Sequence, residues 1–272
     1  SLIPGRRLGT YSEMDGNSGT HVFLASPDAL VPPDAVGTVS QRLDDSDHRH
    51  IARFRFPRDR TIATASRMLQ RLAIARIAGI APADIHAIRF SASAGNRPAL
   101  IQPASAGAIQ FSAANTEGMV ACAVSCSARV GMDIEKLQAE LPPGMLEHCC
   151  TGDEQKELHR LSDDLQRRSF FQLWTLKEAY LKARGIGLQV SPQLIGFNIA
   201  AQGGTPALKA DAALEPNPQH WHFRILDAGN AHAASLCVHS EACSPPPVTI
   251  WRCSWSGESF AFKRETLDLQ EP

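Results

Sequence analysis

The chain has 272 residues, with 27 Lys+Arg against 28 Asp+Glu and a formal net charge of −1. A hydrophobic share of 43% with 20% charged residues excludes a disordered chain, and near-neutrality speaks against a general nucleic-acid coat. No apolar run approaches the ~18 residues of a membrane span, and at about 150 residues per domain the length allows one large domain or two small ones.

Residues 1–19 are rich in Gly, Ser and polar side chains and read as a loose N-terminal segment. His21–Ala25 reads as a short buried strand, and Pro27, Pro32 and Pro33 mark a connection. Between Arg49 and Arg76 eight arginines stand against one acid, Asp59, the strongest charge cluster in a neutral chain. Within it Ile62, Ala65, Leu69, Leu72 and Ile77 recur near a 3.6 period, so 59–78 predicts a long amphipathic helix that Gly79 stops. Strands are expected near Ala87–Phe90 and Ile109–Phe111. Met119–Val124 and Arg129–Ile134 follow as neighbours around a polar Ser125–Ser127 turn.

The second half repeats the rhythm. A helix near Leu146 leads to Thr151, an N-cap for Asp153 and Glu154. A second long helix is predicted over about 165–183, ending at Gly185 and Gly187. Strands near Phe197–Ala200, Trp221–Leu226 and Ala233–His239 complete it. Each half runs strand, helix, then antiparallel strands, which makes an α+β chain of two similar lobes rather than alternating βαβ units. The expected divisions are 1–19, an N-terminal lobe over 20–127, a C-terminal lobe over 128–240, and a tail over 241–272 with no assigned role. Seven cysteines without a CxxC pair predict a reduced, cytoplasmic protein.

Three acids carry the chemistry. Asp133 and Glu135 stand two apart on a strand, so both carboxylates leave the same face. They are either a solvated polar edge or ligands for a hard cation such as Mg²⁺, bound by carboxylates plus substrate phosphates. Glu178 falls on the apolar stripe of Phe171, Trp174 and Leu181, where a charge needs a cation or a partner. Lys182, one turn on, is the plain alternative partner. Arg53, Arg55 and Arg58 crowd the amino end of the first long helix, either as a solvated face or as a phosphate-binding patch. Phosphate-binding arginines, a metal site and a buried acid together suit a reaction on a phosphate ester or anhydride. Neither a GxxxxGK[ST] loop nor GxGxxG is present. The pairs His48/His50 and His220/His222 lack a spaced partner for a zinc site.

Val130-Gly131-Met132-Asp133-Ile134-Glu135, followed by Trp174-Thr175-Leu176-Lys177-Glu178-Ala179-Tyr180-Leu181-Lys182, resembles the paired signature of the 4′-phosphopantetheinyl transferases. The likeness is to the longer, pseudo-dimeric, surfactin-synthetase-activating type, over about His21 to His239. It implies two pseudo-symmetric lobes, each a long helix packed on a small antiparallel sheet, with the active site in the cleft between them. It also implies transfer of the 4′-phosphopantetheine arm of coenzyme A to a serine of an apo acyl or peptidyl carrier protein, releasing adenosine 3′,5′-bisphosphate.

By matching position, Asp133, Glu135 and Glu178 would hold Mg²⁺ (Mn²⁺ being the open alternative) against the coenzyme A pyrophosphate. Glu178 would also act as, or orient water acting as, the base for the serine, and Lys182 would stabilise the leaving pyrophosphate. Phe56-Pro57-Arg58-Asp59 resembles the family's basic segment, which makes Arg58 the 3′-phosphate residue with Arg53 as a second one. Asn96-Arg97-Pro98 resembles its Gly-Lys/Arg-Pro element, with Arg97 on phosphate. Where the family has Phe-Asn-x-Ser-His-Ser/Thr, with Ser-His on coenzyme A, this chain reads Phe111-Ser112-Ala113-Ala114-Asn115-Thr116. Ala114 and Asn115 thus stand at the coenzyme A positions, and Asn115 can donate a hydrogen bond but carries no charge. That departure motivates the alternative of a non-catalytic coenzyme A or carrier-protein binder. A phosphoryl transferase acting on a nucleotide is the third reading. Two lobes in one chain make a monomer sufficient, and the Arg49–Arg76 cluster is placed to steer an acidic carrier.

Overall fold

The computed structural model describes residues 19–91, 99–106, 108–198, 205–242 and 244–265. Strand β1 (Thr20–Ala25) leads through three short helices, α1 (Pro27–Leu30), α2 (Val36–Ser40) and α3 (Asp45–Ile51), to the long helix α4 (Pro57–Ala78). A small pair, β2 (Arg89–Phe90) and β3 (Leu100–Gln102), precedes β4 (Gln110–Thr116), β5 (Met119–Ser125) and β6 (Val130–Lys136). Helices α5 (Met145–Cys149), α6 (Gly152–Leu158) and α7 (Asp163–Arg184) follow. The chain continues through the pair β7 (Ile195–Asn198) and β8 (Ala207–Ala210), then β9 (Trp221–Leu226), β10 (His232–His239), β11 (Val248–Trp255) and β12 (Phe260–Glu265).

The two 22-residue helices begin and end where local chemistry dictates. Pro57 opens α4 at a position where its missing N–H costs nothing. Gly79 and Gly185 close α4 and α7 in the left-handed conformation, at φ 68° and 71°, which glycine adopts without a Cβ clash. Thr151 caps α6 through a reciprocal box with Glu154.

Four layers result. Helix α4 lays Ala65, Leu69 and Leu72 on one face of a five-stranded sheet ordered β12-β11-β1-β5-β4, against Phe23, Phe111 and Cys122. The other face of that sheet, with Val22, Leu24 and Ala121, meets Val130, Met132 and Leu236 of a three-stranded sheet ordered β6-β10-β9. The outer side of the second sheet carries α7, where Leu176 and Tyr180 pack with Phe223 and Cys237. The architecture is α+β, with each long helix on its own sheet.

Three expectations change. Residues 119–124 and 129–134 are consecutive strands but not paired ones: β5 lies between β4 and β1, while β6 pairs with β10. The Ser125 hydroxyl accepts from the N–H groups of Ser127 and Ala128, turning the chain out of the first sheet. The strand expected at Ala87–Phe90 is a 3-10 turn over Pro82–Ala87 followed by a two-residue strand. The segment after Ser240, without a role in the sequence, supplies β11 and β12, and β11 joins β1 in parallel. Arg76 fastens it, with its guanidinium over the rings of Trp251 at 4.1 Å and Phe262 at 4.9 Å.

Candidate active site

A cleft of about 600 Å³ opens between the amino-terminal half of α4, the floor strand β4, and the carboxyl-terminal half of α7. Arg58, Asn115, Glu178 and Lys182 line it together, although they come from three elements up to 124 residues apart in the chain. Its volume is that of a small-molecule site.

Glycine 131 explains how α7 comes so close. A Cβ built there would lie 1.8 Å from the Ala179 carbonyl oxygen and 2.6 Å from the Ala183 nitrogen. Only a residue without a side chain lets β6 lie against the helix backbone at this point. The contact brings Lys182 Nζ to 2.6 Å from Asp133 Oδ1, a charge-assisted hydrogen bond. Lys182 thus pairs with Asp133 and not with Glu178, the partner that helix spacing alone offered it.

Asp133 is 4% exposed and Glu178 half-buried. The second oxygen of Asp133, Oδ2, and Oε1 of Glu178 are buried without a hydrogen-bond partner. Burial raises the pKa of both carboxyls; Lys182 opposes the rise at each, while the charge of Asp133 adds to it at Glu178. Glu135 is pushed up to about 7, by burial first and then by the charge of Asp133, while the Trp174 indole hydrogen bond and Lys182 pull the other way. Three carboxylates therefore share the positive charge of one lysine, a donor set short of a cation. Among the described residues they do not close into a three-ligand metal cluster. Two unpartnered carboxylate oxygens suit a Mg²⁺ ion that takes its remaining ligands from substrate phosphates and water.

The other residues singled out in the sequence divide. Arg58 lies in the cleft, ion-paired with Glu117, which also accepts from Lys136 at 2.7 Å. Arg53 is exposed beyond the end of α3 and does not line the cleft. Ala114 is buried with its methyl among Ala121, Val130 and Met132, so it faces the inter-sheet layer and not the cleft. Arg97 lies outside the described residues.

The basic cluster is likewise not one surface. Arg71 is wholly buried, held by Asp47 at 2.5 Å, by Asp44 at 2.9 Å and by the carbonyls of Ile85 and Ile88. Arg67 lines the cleft beside it. Three further residues of the signature act out of view of the sequence. Gly131 sets the approach of the helix, Trp174 holds Glu135, and Lys177 anchors α7 from below. Lys177 is fully buried and donates to Glu154 Oε2 at 2.6 Å, the Cys149 carbonyl at 2.7 Å and the Pro192 carbonyl at 3.1 Å. Its position one residue before Glu178 could have flagged it, since that places the two on different helix faces.

Two family models match the chain. One, described as the 4′-phosphopantetheinyl transferase superfamily, covers residues 129–237, and the other, the N-terminal part of a 4′-phosphopantetheinyl transferase, covers 33–127. The matches abut at the passage from β5 to β6, where the chain changes sheets. This chain belongs to the 4′-phosphopantetheinyl transferase superfamily. It is 27% identical over 224 residues to a phosphopantetheinyl transferase of Thraustochytrium sp., covering 77% of this chain and 75% of that one. With the 4′-phosphopantetheinyl transferase HetI of Nostoc sp. it shares 25% identity over 214 residues, 71% of this chain and 88% of the relative. A solved holo-(acyl-carrier-protein) synthase of Bacillus anthracis in complex with CoA (3′,5′-ADP) matches at TM-score 0.36 and 22% identity, over 42% of this chain and 98% of that one.

Proposed function

We propose that the cleft transfers 4′-phosphopantetheine from coenzyme A to the serine of an apo acyl or peptidyl carrier protein, using Asp133, Glu135, Glu178 and Lys182. The observation that carries the reading is the pair of unpartnered buried oxygens, Asp133 Oδ2 and Glu178 Oε1, beside the cleft that Lys182 also lines. Mg²⁺ held there would neutralise the pyrophosphate and polarise the phosphorus under attack.

The residues do the rest. Glu178, its carboxyl made more basic by burial, takes the serine proton directly or through one water. The serine oxygen then bonds to the phosphorus on the pantetheine side of the pyrophosphate. The bond from that phosphorus to the bridging oxygen breaks, and the electron pair leaves with adenosine 3′,5′-bisphosphate. Lys182 faces that developing charge from its bond to Asp133. Arg58 meets the 3′-phosphate at the mouth, exchanging Glu117 for the ligand. Arg97 is a further phosphate contact in this reading. Asn115 supports coenzyme A by a neutral hydrogen bond from the floor.

The chain acts as a monomer in this reading, on neither nucleic acid nor membrane. Among the described residues no helix is long and apolar enough to cross a bilayer. Among the described residues Cys126, Cys149, Cys150, Cys237 and Cys253 are free thiols, which supports a reducing, cytoplasmic setting. Intact mass of an apo acyl carrier protein after incubation with the chain, coenzyme A and Mg²⁺ tests the proposal. The expected result is a gain of one phosphopantetheine group, abolished by Glu178→Gln and by chelation of the metal. No gain with acyl and peptidyl carriers alike would refute it.

A further inference from the structure

The floor of the cleft and the carboxylates beside it sit on two neighbouring strands, each the last of its sheet. β4 ends the five-stranded sheet and β6 ends the three-stranded one. The cleft floor residues Ala113 and Asn115 belong to the first, and the carboxylates of Asp133 and Glu135 to the second. In the ladder on its other side, β6 sets Asp133 opposite Ser235 and Glu135 opposite Ala233 of β10. The N–H groups of Met132 and Lys136 point the opposite way, towards β4. They find side chains there: Met132 N–H donates to Ser112 Oγ at 3.0 Å, and Lys136 N–H to Thr116 Oγ1 at 3.2 Å.

These two hydroxyls straddle Ala113 and Asn115 on one strand, while their donors straddle Asp133 and Glu135 on the other. Ser112 is 5% exposed and Met132 fully buried, so water has no ready access to replace the first rung.

We infer that Ser112, with Thr116 as a second rung, is a positioning residue for the transfer, fixing the carboxylates of β6 against the ligand-binding floor of β4. The inference rests on the function proposed above. A side-chain rung, unlike a backbone ladder, is removable by one substitution, and its loss strands the Met132 N–H in an apolar seam. Relief comes from letting the two edges part, which carries Asp133 and Glu135 away from Asn115 and Arg58. Ser112 touches no reacting atom in this scheme. Its effect passes through the place of the acids.

The test compares wild type with Ser112→Ala, Ser112→Thr and Thr116→Val. It measures kcat, KM, the Mg²⁺ concentration for half-maximal rate, thermal stability, and calorimetric affinity for coenzyme A in metal-free buffer. A displacement near 1 Å is worth about 10²-fold in rate, so Ser112→Ala is expected to lose roughly that in kcat and to need about tenfold more Mg²⁺. Metal-free coenzyme A affinity is expected to stay within about threefold, because Arg58 keeps its place on α4 and Asn115 on β4 while β6 is the strand that moves. Thr at 112 restores the hydroxyl and with it the rate. The inference is overturned if Ser112→Ala keeps kcat and its Mg²⁺ dependence, if coenzyme A affinity falls in step with kcat, or if Ser112→Thr does not recover. Should Ser112→Ala fail to fold, Thr116→Val is read by the same criteria. A wild type inert towards every carrier sinks the proposed function and the inference with it. An active wild type with an unaltered variant sinks the positioning role alone.

Discussion

Replacing Gly131 by Ala is the sharpest perturbation the structure offers. Its backbone is not in the left-handed region, so the substitution tests space and nothing else. The new methyl would lie 1.8 Å from the Ala179 oxygen, and its nearest neighbours are backbone atoms, which cannot swing aside as a side chain end can. Restoring an ordinary van der Waals contact of about 3.5 Å requires strand and helix to part by about 1.7 Å. The parting falls between Glu178 and Lys182 on the helix side and next to Asp133 on the strand side. A 2.6 Å bond from Lys182 to Asp133 does not survive it. Overpacking typically costs about 1–3 kcal/mol, and a backbone clash belongs at the upper end. A misplacement of about 1 Å is worth about 10²-fold in rate. The expected outcome is therefore a chain that still melts cooperatively, about 6–12 °C lower, yet modifies the carrier at least about 10²-fold more slowly. Time-resolved intact mass of the carrier, beside a melting curve of the variant, reads both quantities. A Gly131→Ala protein with wild-type rate and melting point would refute the argument that close approach of β6 and α7 assembles the site.

Breaking the buried Lys177–Glu154 pair with Lys177→Met leaves a buried carboxylate without its cation, and should destabilise the fold by about 3–5 kcal/mol in denaturant titration; a loss under about 1 kcal/mol would mean the site is wetter than its burial indicates. Arg58→Ala is expected to raise KM for coenzyme A about tenfold, the equivalent of about 1.4 kcal/mol, while Arg53→Ala, outside the cleft, leaves it unchanged; steady-state kinetics with varied coenzyme A separates the two. Ending the chain after Ser240 removes β11 and β12 and uncovers the apolar edge of β1. Soluble yield and melting point should both fall, and a truncated protein as stable as the whole one would show the hairpin to be an ornament.

Local chemistry made the helices and most strands readable. Gly79, Thr151 and Gly185 each act through their own backbone preferences, and the structure uses them where the sequence reading expects, while Pro57 starts α4 two residues before the expected bound. The acids at 133, 135 and 178 were legible for a related reason, since two-residue and four-residue spacings fix faces before any packing is known. What escaped depends on partners far along the chain. Arg71 looks like its seven neighbours until Asp47 and the Ile85 and Ile88 carbonyls enclose it. Lys177 resembles a solvated lysine until Glu154 lies opposite. Lys182 has Glu178 within reach on its own helix, yet a carboxylate brought in by another strand takes it. The place of Ala114 turned on which side of β4 faces the second sheet, a register that no single strand encodes.

The parallel pairing of β1 with β11 also constrains the order of events during synthesis. His21 and Trp251, hydrogen-bonded at 3.3 Å, are 230 residues apart. Strand β1 thus waits for about 230 further residues before its second edge is covered. Until then it offers unpaired backbone groups to any other extended chain. Pairing across such a separation is slow, because loop closure must be met before contacts reward it. The C-terminal lobe, whose strands β6, β9 and β10 lie within residues 130–239, needs no such late partner. Assembly in the cell is thereby ordered against the direction of translation: the second-made lobe can mature first, and the lobe made first is sealed last.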